Sequence, residues 1–301
     1  MSQMPPSIIR LLHDAAERAG SATALMAPGR LPLSFSGLMN LLRQCVLDLN
    51  ACGIGRGDRV AMVLSNGPEM VTAFFGVAAV ATAAPLNPAY QTAEFDFYLS
   101  DLNPQALIVE AGQATPARDV AHSRGIPIIE LVPDRKGEAG QFRLQGTPRS
   151  CSAKSGLAEA DEIALVLHTS GTTSRPKIVP LSQANLCASA LNIARTLQLS
   201  TTDRVLNVMP LFHIHGLVAA TLAPLSAAGN VVCTPGFLAP QFFEWLDEFQ
   251  PTWYSAVPTM HQAILARAAG EKQTVHRAPL RFIRSSSAAL PPQVMHELER
   301  T

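Results

Sequence analysis

Apolar residues along this chain fall into two spacings that take turns. Over residues 36–49, Leu38, Leu41, Leu42, Cys45 and Leu49 recur at the three-to-four interval that gives a helix one oily face. The run "RVAMVL" that follows is short and unbroken, which predicts a strand buried on both faces. The same exchange continues with helices over 8–18 and 70–81, a short strand at "APLN", a helix at "AEFDFYLSDL", a strand at "ALIVE", then a further helix and a strand at "IPIIEL". A hairpin is predicted in "TALMAPGRLPLSF", with Pro28 and Gly29 at its turn.

Residues 133–160 interrupt the rhythm. They are rich in Gly, Ser, Lys and Pro and show no period, which predicts an exposed connection and a subdomain break. Beyond them "IALVLHT" and "KIVPL" read as strands, and Ser182 as the N-cap of a helix reaching about residue 197. Strands at "RVLNVM", "NVVCT", "TWYSAV" and "RFIRSS" then alternate with helices over 217–227, 241–249 and 260–269, and Pro291 opens a last helix. Strand, helix, strand in repetition predicts an α/β fold: layered, mostly parallel sheets with helices on both faces.

Composition narrows the class. With 301 residues and 48% hydrophobic content, the chain can fill one large core or two joined ones. Lys plus Arg and Asp plus Glu number 23 each, so there is no basic excess to follow a nucleic-acid backbone. The five Cys are scattered and form no CxxC pair, which fits reduced, buried thiols and a cytoplasmic setting. The N-terminal stretch has no apolar segment of the signal-peptide kind. The most apolar stretches, 74–86 and 216–232, are too short for a bilayer or hold Pro224 and Asn230.

Chemistry concentrates in "HTSGTTSRPK". Thr169, Ser170, Thr172, Thr173 and Ser174 line up hydroxyls after an apolar strand, Gly171 frees the backbone to turn its N–H groups to one side, and Lys177 adds a point charge. Such a loop cradles an anion, polyphosphate above all. It is not a Walker loop, because Pro176 precedes the Lys and a strand follows it. In "PLFHIHGL", His213 and His215 stand two apart and would share a face if extended. On spacing alone His213 reads as a packed histidine, and no third ligand nearby makes either a metal site.

The loop closely resembles the phosphate-binding loop of the adenylate-forming superfamily of acyl-CoA synthetases, luciferases and peptide-synthetase adenylation domains. The usual form there is Thr-Ser-Gly-Thr-Thr-Gly-x-Pro-Lys-Gly. Thr169, Ser170, Gly171, Thr172, Thr173, Pro176 and Lys177 match it, and Ser174 and Ile178 depart from it. "PLFHIHGL" is similar to the segment lining the acyl pocket, which implies that His213 lies near the acyl carboxylate and that Gly216 lets the next helix start close to the ligand. "LRFIRSSSAAL" resembles the acyl-pocket strand, with Ser286 and Ser287 where many members carry Gly. With Ser285 they make a hydroxyl-lined floor that favours a small polar acid over an alkyl tail. Arg284 could add charge there or face solvent.

The resemblance spans nearly the whole chain and is nearest to the oxalate–CoA ligase branch. It implies an acid–CoA ligase using ATP, Mg2+ and coenzyme A on a small carboxylate such as oxalate; a fatty acyl ligase, or a binding module that has lost catalysis, are the alternatives. The family's Tyr-x-x-Thr-Glu loop, Thr-Gly-Asp segment, hinge and small catalytic-lysine domain are not found in residues 1–301. The chain is therefore expected to be the larger part of an AMP-binding N-terminal domain, binding nucleotide weakly and completing little turnover by itself. Peroxisomal targeting, a feature carried at a C-terminus, is not legible here.

Overall fold

The computed structural model describes residues 7–150, 155–169 and 176–301. In chain order the strands are β1 (Thr23–Met26), β2 (Leu33–Ser34), β3 (Arg59–Val63), β4 (Thr82–Pro85), β5 (Ala106–Glu110), β6 (Ile128–Pro133), β7 (Phe142–Gln145), β8 (Ile163–Thr169), β9 (Lys177–Ser182), β10 (Arg204–Asn207), β11 (Asn230–Cys233), β12 (Trp253–Ala256) and β13 (Phe282–Ser285). They form a seven-stranded sheet in the order β7-β6-β5-β3-β4-β8-β9 and a six-stranded sheet in the order β13-β12-β10-β11-β1-β2. Only the edge pairings β6–β7, β8–β9 and β1–β2 are antiparallel. The expected α/β class with mostly parallel sheets is what the chain adopts.

Each strand alternates between two cores, as side chains two residues apart must. Val60 and Met62 of β3 face the largest cluster, whereas Ala61 and Val63 face Phe95, Leu99 and Val120 on the other side. In the second sheet Val205, Val231 and Trp253 face that same largest cluster, and Leu206, Val232 and Tyr254 face Phe242 and Leu246. The helices Ile8–Ala19, Phe35–Ala51, Pro68–Ala78 and Gln183–Thr196 are thus packed between the sheets, and further helices cover both outer faces. Burial on both faces is why the strands are near-continuous apolar runs.

Local signals held where the chemistry is local. Ser182 caps its helix by accepting from the Asn185 N–H at 3.2 Å, and Asn185 Oδ1 returns the favour to the Ser182 N–H at 3.1 Å. Gln183, fully buried, receives the Ile8 N–H on Oε1 at 3.0 Å and donates to the Ala78 carbonyl at 2.6 Å, tying three helices together. The described cysteines Cys45, Cys52, Cys187 and Cys233 are free and buried, and burial pushes the Cys187 thiol up to about 12. Among the described residues no helix is long and apolar enough to cross a membrane.

Within 133–160 the described residues 147–150 and 155–157 are exposed, as expected, but the residues before them are built into the fold. They contain β7, in which Phe142 is buried and Leu144 packs on the core while Arg143 and Gln145 point away. Four residues of alternation among Gly and charge are too few to stand out as a period. Ala139 is buried too, and its N–H donates to the Leu31 carbonyl at 2.7 Å. Strands on either side of the segment, β4 and β8, pair directly within one sheet. The short helix Lys272–Arg277 was also not anticipated; it buries no residue and so has no apolar stripe to read.

Arg30 ties the N-terminal hairpin both to the helix Pro68–Ala78 and to this segment, where Arg135 also stands 3.8 Å from Glu69. Arg30 reaches Glu69 at 2.5 Å, both side chains under a tenth exposed, and also donates to the Asp134 and Glu138 carbonyls. Removing one partner of a buried pair leaves a charge uncompensated. Arg30→Ala is therefore expected to lower stability by about 3 kcal/mol in chemical denaturation; a loss under about 1 kcal/mol, the scale of surface pairs, would contradict the assignment.

Candidate functional site

Parallel register places three polar side chains in one row. Asn207 of β10 lies opposite Ser255 of β12, and Ser255 lies opposite Arg284 of β13. Register partners share a face, so these three point away from the outer cluster that takes Leu206, Tyr254 and Ile283. The row stands near the carboxyl ends of the strands, the edge where α/β sheets gather ligands.

Asn207 is buried, and its amide organises the segment beyond β10. Its Nδ2 donates to the Gly216 carbonyl at 3.2 Å and to Thr221 Oγ1 at 2.9 Å, and its Oδ1 accepts from the Met209 N–H at 3.1 Å. Asn66, beyond β3 of the other sheet, accepts the Leu211 N–H at 2.7 Å and donates to the Met209 carbonyl at 3.2 Å. The Pro-Leu-Phe-His segment is therefore held by amide side chains from both sheets. At Gly216 the chain runs so close to Pro210 that a Cβ would collide with the Pro210 carbonyl oxygen. The glycine is needed here for backbone approach to backbone.

The α-helix expected over 217–227 is instead a π-helix, His215–Leu222, followed by one α turn, Ala223–Ser226. Thr221 Oγ1 donates to the Gly216 carbonyl at 2.7 Å, and Pro224 has no N–H to give the preceding turn, so ordinary α bonding is displaced. π turns are rare and collect at functional sites.

This winding separates the two histidines. They do not share an extended face. His213 is exposed in the turn, its ring 4.5 Å from that of Phe212, and partial desolvation lowers its pKa. His215 is 6% exposed and lies in a polar cluster. Its Nε2 is 2.6 Å from Ser255 Oγ and 3.0 Å from Arg284 Nη1, and its Nδ1 is 3.1 Å from Ser287 Oγ. Burial first, and then the positive charge of Arg284, push its pKa down to about 4. Arg284 turns inward, where burial pulls its own pKa down. Its Nη1 donates to Ser255 Oγ at 3.0 Å and its Nη2 to Ser286 Oγ at 3.3 Å.

The expected site residues thus divide. Ser286 and Ser287 reach the cluster. Ser285, one step earlier on the strand, has a buried hydroxyl without a partner among the described residues and lines a cavity of about 660 Å³ with Phe242, Leu246 and Leu290. On the other sheet, Thr169 ends β8 opposite Lys177, which begins β9 and is exposed. Ser170, Gly171, Thr172 and Thr173 lie outside the described residues. Ser255 and the inward His215 were not singled out as site residues, because register and π winding leave no mark in spacing. His168, beside Thr169, was also missed; it packs edge-on against Tyr98 at 4.6 Å and lies 3.1 Å from Asp101 Oδ2.

A family model described as AMP-binding enzyme matches residues 12–301. The chain belongs to this AMP-binding enzyme family. The AMP-binding domain is 39% identical over 298 residues to an oxalate–CoA ligase of Arabidopsis thaliana, covering 96% of this chain and 57% of that protein. It is 33% identical over 248 residues to a sulfoacetate–CoA ligase of Cupriavidus necator, covering 81% and 47%. Its fold matches that of ATP-bound MatB from Rhodopseudomonas palustris with a TM-score of 0.82 at 24% identity, over 98% of this chain and 57% of that one. The domain spans about half the length of the curated relatives it matches.

His215 is expected to make the AMP-binding domain sensitive to acid. An imidazole whose folded pKa is about 4, against an ordinary 6.5, stays neutral in the fold while the unfolded chain takes up a proton. Its contribution is complete above about pH 6.5 and is lost as pH falls toward 4, by roughly 3 kcal/mol across that window. Denaturation at pH 7 and pH 4.5 should show a smaller acid-induced loss for His215→Gln than for the parent. Equal losses would mean that His215 does not drive this dependence.

Proposed function

We propose that this AMP-binding domain is the nucleotide- and acid-binding portion of an ATP-dependent acid–CoA ligase whose substrate is a small carboxylic acid with a second anionic group, oxalate being the leading candidate. The observation that carries this reading is the state of Arg284. A guanidinium offers five N–H donors. Its contacts are with neutral atoms, Nη1 being shared between the adjacent His215 Nε2 and Ser255 Oγ and Nη2 donating to Ser286 Oγ, and among the described residues no carboxylate pairs with it. The Nε–H and one Nη2–H are left, neighbouring donors that match two oxygens of a carboxylate or sulfonate.

A half-buried cation without an anion is costly, and an alkyl tail would leave it so. A dianion would neutralise it. The relatives named for oxalate and for sulfoacetate both act on acids with a second anionic group, which supports the class over a fatty acid.

In this reading one carboxylate oxygen of the acid attacks the α-phosphorus of ATP, giving acyl-AMP and pyrophosphate, and the CoA thiol then displaces AMP to give the thioester. The nucleophiles belong to the substrates, so the protein's task is to position and to stabilise charge. The loop from Thr169 to Lys177 takes the phosphates through backbone N–H groups, the hydroxyls of Thr169, Ser170, Thr172 and Thr173, and the Lys177 ammonium. Arg284 holds the distal anion, His215 stays neutral beside it, and exposed His213 stands at the mouth. The thioester step and its catalytic lysine fall to a further domain of the ligase. Mg2+ would shield the phosphates. The described residues give it no carboxylate set at the site, since the grouped His13, Asp14 and Glu17 are exposed on the first helix.

ATP–pyrophosphate exchange, measured with the chain continued to the full length of its relatives, tests this. Oxalate should drive exchange, and Arg284→Met should raise the KM for oxalate by about 10- to 100-fold, the worth of hydrogen bonds to a charged group, with the KM for ATP unchanged. Lys177→Ala should lower exchange with every acid. Exchange driven by octanoate but not by oxalate would refute the substrate class.

A further inference from the structure

Ser287 holds its backbone at φ 73°, in the left-handed region that L side chains rarely occupy. The other non-glycine residues with positive φ among those described are Asn103, Gln198, Ala228 and Gln250. Each lies at or just past the end of a helix, where a left-handed residue closes the last turn. Ser287 follows a strand and closes no helix. Strain kept at such a place needs a local return. The contact it makes among the described residues is with His215: Ser287 Oγ stands 3.1 Å from Nδ1.

That contact bears on which nitrogen of His215 carries the proton. Arg284 Nη1 lies 3.0 Å from Nε2, and a guanidinium can only donate. A lone pair on Nε2 suits that neighbour. Ser255, 2.6 Å from Nε2 and 3.0 Å from the same Nη1, is placed to accept from Arg284 and donate to Nε2. The neutral ring then carries its hydrogen on Nδ1, and Ser287 Oγ is its acceptor. In the other tautomer the Nε2–H and an Arg284 N–H would both have to end on Ser255 Oγ, two donors crowded at one acceptor, and Ser287 Oγ would donate to Nδ1 instead.

We propose that Ser287 is a positioning residue: its hydroxyl holds His215 as the Nδ1–H tautomer, and the bare Nε2 steers Arg284 toward the second anionic group of the acid. This rests on the reading of Arg284 as the anion anchor. Ser287 touches neither nucleotide nor reacting carboxylate in this scheme. It acts through His215 and sets selectivity for diacids rather than rate.

Two variants separate the hydroxyl from the backbone. Ser287→Gly removes the hydroxyl and relieves the left-handed strain; Ser287→Ala removes the hydroxyl and keeps the strain. In the chain labelled with 15N-histidine, the His215 signals are identified by their loss in His215→Gln. The parent should show a protonated Nδ1 and an unprotonated Nε2, and both Ser287 variants should show a mixture of tautomers. Calorimetry with a nonhydrolysable ATP analogue present should show oxalate binding weakened by about tenfold in both variants, the factor of one net hydrogen bond, with acetate binding unchanged. An unaltered tautomer in both variants overturns the proposal whatever the affinities do. A mixed tautomer with an unchanged oxalate-to-acetate ratio overturns the steering of Arg284. A parent that shows the expected tautomer response but no preference for oxalate over acetate supports the hold of Ser287 on His215 and refutes the assignment of the acid instead.

Discussion

Both sheets of this domain are covered on both faces, and that constraint governs where its chemistry can stand. A polar side chain in mid-strand would enter one of three apolar clusters and find no partner. Hydroxyls, amides and charges are tolerated where strands give way to loops and backbone groups become available. Asn207, Ser255 and Arg284 stand at that edge of one sheet, and Thr169 and Lys177 at that edge of the other. The two edges are linked through Asn66 and the segment it fastens, Met209 to Leu211.

Within the edge of the six-stranded sheet the electrostatics are one-sided. Arg284 brings a positive charge into a wall whose described partners are a neutral imidazole and serine hydroxyls. Its charge helps keep His215 unprotonated, and burial lowers the pKa of both groups. On the proposed reading such a site is relieved when an anion arrives, and so discriminates by charge and not by size alone. The left-handed backbone of Ser287 and the π winding that begins at His215 are departures from regular geometry, and both adjoin that imidazole.

The half of the site that would meet nucleotide rests on different physics. A hydroxyl-rich loop between antiparallel strands binds an anion through many small donors, so it depends on composition and on glycine freedom more than on exact packing. The proposed acid-binding wall depends on the register of three strands. This contrast explains why the first was visible as a string of letters and the second was not.

Alternating apolar spacing, turn residues and the Ser182 cap were enough to determine the α/β class and the order of most elements, and the motif "HTSGTTSRPK" with its companions carried the family resemblance, because each of those signals acts between residues close in sequence. The amino-acid order also marked Thr169, Lys177, Ser286 and Ser287 as candidates. The resemblance pointed to His213; the order of residues did not bring out the buried His215, or turn Arg284 inward. Those outcomes were decided by β12 lying between β10 and β13, by Pro224 and Thr221 redirecting a helix, and by the crowding of Gly216 against Pro210. Strand order and register are contacts between residues far apart in the chain, so they appear only when the sheets close.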